Sequence, residues 1–202
     1  LILIDMKLRE LRGAFSQLEN IYAAAYFDGE IFIAREATIW HAPITDNLAD
    51  PERFQRYNYV AARQFVPLAN QLLFTVADFV NPFPVGVWAM GRKDAVGNRP
   101  AVMVSEGNFT LATSDKQVAL FANAGELLTI NATKPTEIAQ RIAQTNAWLG
   151  IARSSDGTIF ANEGDTGLQA YKLQGDKLTK HDAPIGGYGP KRDLCYYMHY
   201  VD

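Results

Sequence analysis

The chain has 202 residues, 48% hydrophobic and 20% charged, with a formal net charge of −3. That length suits one domain able to bury a real core, and the composition excludes general disorder. The mild negative charge lacks the basic footprint needed to hold a phosphate backbone, so no direct nucleic-acid partner is expected. The longest apolar stretches, such as Val66–Val80, are interrupted by Pro, Asn, Gln or Asp and fall short of a membrane span.

Leu1–Met6 is a short apolar run that reads as a strand, without the basic start and long core of a signal peptide. A first residue of Leu is what a processed or trimmed chain shows. Leu8–Ile21 is ambiguous: Leu8, Leu11, Phe15 and Leu18 fit a helical face, while Gly13 weakens it. From Ile21 the signal clears. Asp28-Gly29 lies between two β-rich runs, a strong hairpin mark, because both central positions of a type I′ turn need φ > 0. Ala37–Trp40 supplies a further strand. Asp50-Pro51-Glu52 then resembles a helix N-cap, first-turn proline and acidic first turn, so a helical insertion over 51–62 competes with strand.

A second set of strands runs from Arg63 to Met90, broken by Asn81-Pro-Phe-Pro84. A third is read as Ala101–Val104, Asn108–Ala112, Gln117–Phe121 and Leu127–Ala132. Pro135–Leu149, with Ile138 and Ile142 on one stripe, offers a second helical insertion. A fourth set comprises Trp148–Arg153, Thr158–Ala161, Leu168–Leu173 and Lys177–Lys180. The aromatic tail Leu194–Val201 reads as one more strand. Turn marks at Gly29, Asn70, Gly107 and Gly157 lie 41, 37 and 50 residues apart. Short strands repeating every ~40–50 residues mark β-propeller blades. The predicted fold is therefore a mainly all-β propeller of about four to five antiparallel blades, preferred over an unrelated β-sandwich. It forms one domain over 1–202, closed by pairing of the terminal strands or completed by another chain, because an open ring leaves edges unpaired.

Candidate chemistry is sparse. His41, His181 and His199 are far apart and not in ligand spacing. Cys195 is the single cysteine; in a strand it and His199 stand about 13 Å apart at ~3.3 Å per residue, too far for a nucleophile–base pair. Gly186–Arg192 sets glycines beside cations, but Pro190 precedes the cations and no Lys-Ser/Thr follows, so it reads as a connection and not as a phosphate loop. The carboxylates Asp28, Glu30, Asp78, Asp115, Asp156, Glu163 and Asp165 fall at turns or strand ends, where backbone capping explains Asp better than catalysis does. Residues 156–167 miss calcium-loop spacing. Trp40, Trp88 and Trp148 recur along the repeats, as core residues or as an exposed shelf for sugar faces. Asn108 and Asn131 match the glycan acceptor pattern. No catalytic, cofactor-binding or metal-binding residue is assigned, no cofactor is expected, and the ligand-binding residues stay unassigned.

Residues 25–43, followed by Asp50-Pro-Glu-Arg-Phe54 and by 66–74, resemble phage tail and virion structural proteins. In those, a strand pair leads into a phrase of the type W-x-x-P … D-P-x-x-F. The resemblance covers Tyr22 to Met90, and the chain lacks the Gly-His and Trp-Asp marks of WD40 blades. It implies a non-enzymatic part of a tail or nozzle, assembled with other protein chains as a ring or homo-oligomer. Its place would be the virion, or the cytoplasm before assembly, with secretion left open. The competing readings are a carbohydrate-binding propeller and a propeller glycosidase or lyase that uses the turn carboxylates.

Overall fold

The computed structural model describes residues 2–5, 10–14, 20–44, 54–58, 60–78, 83–115, 117–143, 148–154, 156–163, 167–174 and 177–180. All the regular structure in them is β. Strands β1 (Ile2–Asp5) and β2 (Glu10–Ala14) form a two-stranded antiparallel sheet. The second of them makes residues 10–14 of the ambiguous stretch Leu8–Ile21 strand; Leu8, Phe15 and Leu18 lie outside the described residues. Four antiparallel sheets of four strands follow. Blade 1 holds β3 (Ile21–Phe27), β4 (Glu30–Arg35), β5 (Thr38–Pro43) and β6 (Gln55–Asn58). Blade 2 holds β7 (Ala61–Leu68), β8 (Gln71–Asp78), β9 (Gly86–Gly91) and β10 (Ala101–Glu106). Blade 3 holds β11 (Leu111–Ser114), β12 (Val118–Ala122), β13 (Glu126–Asn131) and β14 (Gln140–Ala143). Blade 4 holds β15 (Gly150–Arg153), β16 (Ile159–Asn162), β17 (Leu168–Gln174) and β18 (Lys177–Lys180).

Within each blade the strands lie in chain order, and β3, β7, β11 and β15 run next to one another as the innermost row. Edge position explains why Pro67 is tolerated inside β7. That strand bonds only β8, so the missing N–H of proline removes no second ladder.

The middle strands of blades 2 and 3 are buried on both faces. Residues 72–76 of β8 are all fully buried. Alternate side chains serve different cores, because a strand has a period of two. Leu72, Phe74 and Val76 join Phe32, Ala34 and Ile39 between blades 1 and 2, while Leu73 joins Phe121, Leu128 and Ile130 between blades 2 and 3. On β9, Trp88 and Met90 face blade 1, whereas Val87 and Ala89 face blade 3. Blade 3 repeats the scheme, with Leu120, Ala122 and Leu127 packing on Ile151, Ile159 and Tyr171 of blade 4.

Both helical insertions are corrected. Gln55–Asn58 is β6, in register with Ile39, Trp40 and His41 of β5. Gln140–Ala143 is β14, with Ile142 opposite Leu127. Each pairs its backbone with a neighbouring strand, β5 or β13, and that long-range pairing outweighs a local capping signal. Ile138 and Ile142 share no helical stripe; Ile138 packs on the core between blades 2 and 3, and Ile142 on that between blades 3 and 4. The third set of strands is corrected by one strand. Ala101–Glu106 is the outer strand of blade 2, and Gly107 lies on the passage to blade 3 and not in a hairpin. The equivalent turn is at Asp115, which places Gly29, Asn70, Asp115 and Gly157 at intervals of 41, 45 and 42 residues. The strand expected over 194–201 lies outside the described residues.

Asp28-Gly29 forms the expected two-residue turn, with φ of 52° and 78°. At Asp156-Gly157 only the glycine is left-handed, φ 81°, inside a loop closed by the Ser154 N–H donating to the Thr158 carbonyl at 2.9 Å. A β-branched residue in that conformation costs about 1–2 kcal/mol. Gly29→Val and Gly157→Val should each lower stability by that amount in thermal or urea melts. Gly125→Ala, where an added Cβ meets open space, should not.

Candidate functional site

The carboxylates singled out from the sequence are the natural starting point, and blade 2 decides the fate of two of them. Asp28 sits in the β3–β4 turn and Glu30 at the head of β4, two residues apart across a tight turn. The β9–β10 loop brings Arg99 between them. Its side chain is 2% exposed; Nη1 donates to Asp28 Oδ2 at 2.8 Å and Nη2 to Glu30 Oε2 at 2.6 Å. Nη1 also reaches the Gly91 carbonyl at 3.3 Å. Lys93 adds Nζ to Glu30 Oε1 at 2.7 Å and its backbone N–H to Asp28 Oδ2 at 3.3 Å. His41 Nδ1 stands 3.2 Å from Glu30 Oε1, its ring stacked on Phe32 at 5.6 Å. The Arg99 guanidinium lies over Phe32 and Phe27, 5.2 and 5.7 Å from the ring centroids. Tyr57 Oη donates to the Arg99 carbonyl at 2.9 Å.

This is a clamp between blades 1 and 2. Burial on its own pushes the Glu30 carboxyl up, but the hydrogen bonds from Lys93 and Arg99 and the charges of His41 and Lys93 outweigh it and hold the group below its usual range. Asp28 is lowered in the same way: a burial effect upward is overcome by Arg99, the Lys93 N–H and Arg92. Burial raises the Tyr57 hydroxyl, against a smaller opposing effect of Arg99. Two acids that share one buried guanidinium are neutralised and oriented by it, which is a structural arrangement.

The remaining acids divide between turn capping and surface pairing. Asp115 accepts the N–H groups of Gln117 and Val118 at 2.7 Å each and meets Arg153 Nε of blade 4 at 3.2 Å, a second bridge between blades. Asp156 accepts from the Ser154 hydroxyl, from Lys172 Nζ at 2.9 Å, and from the Thr158 N–H and hydroxyl at 2.9 Å each. Those partners, in that order, hold its carboxyl far below the usual range. Asp78 faces Arg63 at 3.3 Å, and Glu163 receives Lys180 Nζ at 2.9 Å. Asp165, His181, Gly186–Arg192, Cys195 and His199 lie outside the described residues.

The tryptophans of the repeat pack inward. Trp88 stacks edge-on against Phe83 at 4.7 Å and donates Nε1 to the Pro84 carbonyl at 3.0 Å. Trp148 lies on Tyr171 at 5.3 Å, and Trp40 packs half-buried beside Ile31, Ile33 and Phe54. Among the described residues the exposed aromatics are Tyr22 and Tyr26 of the innermost strand β3, and Arg63 covers the Tyr22 ring at 4.0 Å. Among the same residues no group of three His, Cys, Asp or Glu could hold a metal, and no helix is long and apolar enough to cross a membrane.

Arg99 itself escaped sequence reasoning. It lies 69 residues from Glu30, and the only local hint was an acid pair flanking a turn beside an aromatic strand.

Four-stranded antiparallel sheets with their innermost strands adjacent are the arrangement of the solved propellers that this chain matches. The fold is a β-propeller. PorZ, an essential bacterial surface component of the type-IX secretion system of Porphyromonas gingivalis, matches 94% of this chain with 24% of its own length, at 14% identity and TM-score 0.67. The Cps50 (Swd1) propeller domain of Myceliophteria thermophila matches 89% of this chain with 62% of its own, at 11% identity and TM-score 0.59. A streptogramin B lyase matches 82% with 55%, at 11% identity and TM-score 0.53. The chain thus spans about a quarter of the first and somewhat over half of the other two. No family model and no curated protein sequence matches it.

Two predictions follow from the clamp. Removing one partner of a buried ion pair strands the other, at about 3–5 kcal/mol. Arg99→Met should therefore lower the urea midpoint by more than Arg92→Met, whose Nε is 3.9 Å from Asp28 and mostly exposed. Glu30 has a depressed folded pKa, so its contribution is fully present above the unfolded value of about 4.3 and is lost as pH falls through the folded value. Acid titration of stability should show that loss below about pH 4, and Glu30→Gln should flatten it.

Proposed function

We propose that this chain is a non-enzymatic interaction scaffold, one component of a larger protein assembly. The observation that supports it best is the β9–β10 loop. Asp94 Oδ1 accepts the N–H groups of Val96 and Asn98 at 3.0 and 2.8 Å, and the Asp94 N–H donates to the Asn98 carbonyl at 2.8 Å. Arg99 then ties the base of the loop to blade 1. The tip presents Val96, 79% exposed, and Ile44, just past β5, is also exposed, its N–H donating to the Gly29 carbonyl at 3.1 Å. A rigid loop that holds an apolar side chain in water has already met the ordering cost of binding.

The concrete assembly we favour is a phage tail or virion part, on the phrase shared over Tyr22 to Met90, with its place in the virion or, before assembly, the cytoplasm. PorZ supports the general form, as a protein of the same fold that serves as a component of a secretion machine. The streptogramin B lyase shows that fold alone does not choose between scaffold and enzyme. Turn capping and ion pairing by the described acids favour the scaffold over a propeller glycosidase. Exposed Tyr22 and Tyr26 on one strand favour carbohydrate binding as the second reading.

Cross-linking mass spectrometry on the native source material tests the proposal. Lys134 and Lys177 should link to other proteins at fixed stoichiometry. A dispersed monomer that hydrolyses chromogenic glycosides, with turnover lost in an Asp156→Asn variant of unchanged stability, would overturn it.

A further inference from the structure

The outermost strands of the four blades give an internal comparison. β6 carries Arg56, β14 carries Arg141, and β18 carries Lys177 and Lys180. β10, Ala-Val-Met-Val-Ser-Glu, carries no basic residue. Folded proteins place cations on edge strands because a bare row of N–H and C=O groups recruits another strand. β10 pairs with β9 on one side and has no other strand neighbour among the described residues. Pro100 covers only its entry, and the register shift between Met103 and Ser105 leaves Ala101–Met103 regular against Met90, Ala89 and Trp88. On that stretch Val102 is 47% and Met103 39% exposed, and successive strand residues point to opposite faces. The edge is therefore apolar above and below.

We propose that the β10 edge binds an extended segment of a partner protein, which adds to blade 2 as a fifth strand. This rests on the scaffold reading and names its partner chemistry. Main-chain hydrogen bonds would give the affinity, and apolar side chains on both faces of the segment would meet Val102 and Met103. The exposed Glu106 carboxylate ends the edge and makes no ion pair among the described residues, unlike Arg141 nearby, which is paired with Glu126 at 2.7 Å and donates to Ser105 Oγ at 2.9 Å. The segment accordingly carries a Lys or Arg opposite Glu106. A short segment fits better than a second folded copy, because a six-residue edge with two exposed apolar side chains falls well short of the ~800 Å² per partner that a stable dimer buries.

The test pans a random 12-residue peptide library against the full chain and measures the enriched peptides by fluorescence anisotropy. They should combine β-branched or aromatic residues with Lys or Arg. Their affinity should fall at least tenfold with Val102→Lys or Met103→Lys, and severalfold with Glu106→Lys. N-methylation of alternate peptide amides should abolish it. All three positions are exposed, and circular dichroism confirms that the variants fold. Enriched peptides indifferent to β10 but lost with Val96→Asp would overturn the edge site while leaving the scaffold reading standing. No enrichment would overturn the edge site. So would a concentration-dependent dimer, seen in sedimentation, that Met103→Lys dissolves.

Discussion

A four-stranded blade is too thin to bury two faces alone, and the fold depends on how neighbouring blades solve that together. Leu72 and Leu73 are consecutive, both fully buried, and belong to different cores. Middle strands such as β9 (GVWAMG) and β12 (VALFA) therefore read as continuous apolar runs, the pattern of a sheet covered on both sides. Stability in such an array is a sum of blade and interface contributions between nearest neighbours. Parity along each strand fixes which neighbour a side chain serves, and a slip of one residue would exchange the two cores.

The polar bridges are secondary to that packing but act at the same interfaces. Arg99 joins blades 1 and 2, Arg153 meets Asp115 between blades 4 and 3, and Arg141 reaches Ser105 between blades 3 and 2. A buried ion pair is weak evidence of net stabilisation, because desolvation offsets much of the attraction. What the Arg99 clamp contributes is position. Its two carboxylates fix the base of the loop that carries Val96, so groups that would otherwise be catalytic candidates hold one blade against the next.

Much of the fold was legible, and the failures have physical causes. The turns at Asp28-Gly29 and Asp156-Gly157 declared themselves because left-handed backbone restricts residue choice. All four strands of blade 4 followed, since Asp-Gly and Gly-Asp pairs mark each boundary. β6 and β14 were missed because both are short and polar, and a proline with an acid one or two residues later carries a helix-start signal whether or not a helix forms. Gly107 misled the repeat alignment because its left-handed φ of 123° serves a crossing between blades and not a hairpin. The clamp was invisible, since no local pattern links Asp28 and Glu30 to a residue some seventy positions away. Exposure of Val102 and Met103 was equally hidden, because β10, unlike β6 and β14, starts with a run as apolar as a core strand.

The central claim is that adjacent residues on one strand support different interfaces. Native-state hydrogen exchange on Leu72→Ala and Leu73→Ala tests it most directly, each change being expected to cost about 2–5 kcal/mol. Leu72→Ala should reduce amide protection in β4 and β5 of blade 1 and leave β12 and β13 of blade 3 near their original values. Leu73→Ala should do the reverse. Loss of protection in the same strands for both variants would contradict the division of β8 between two cores.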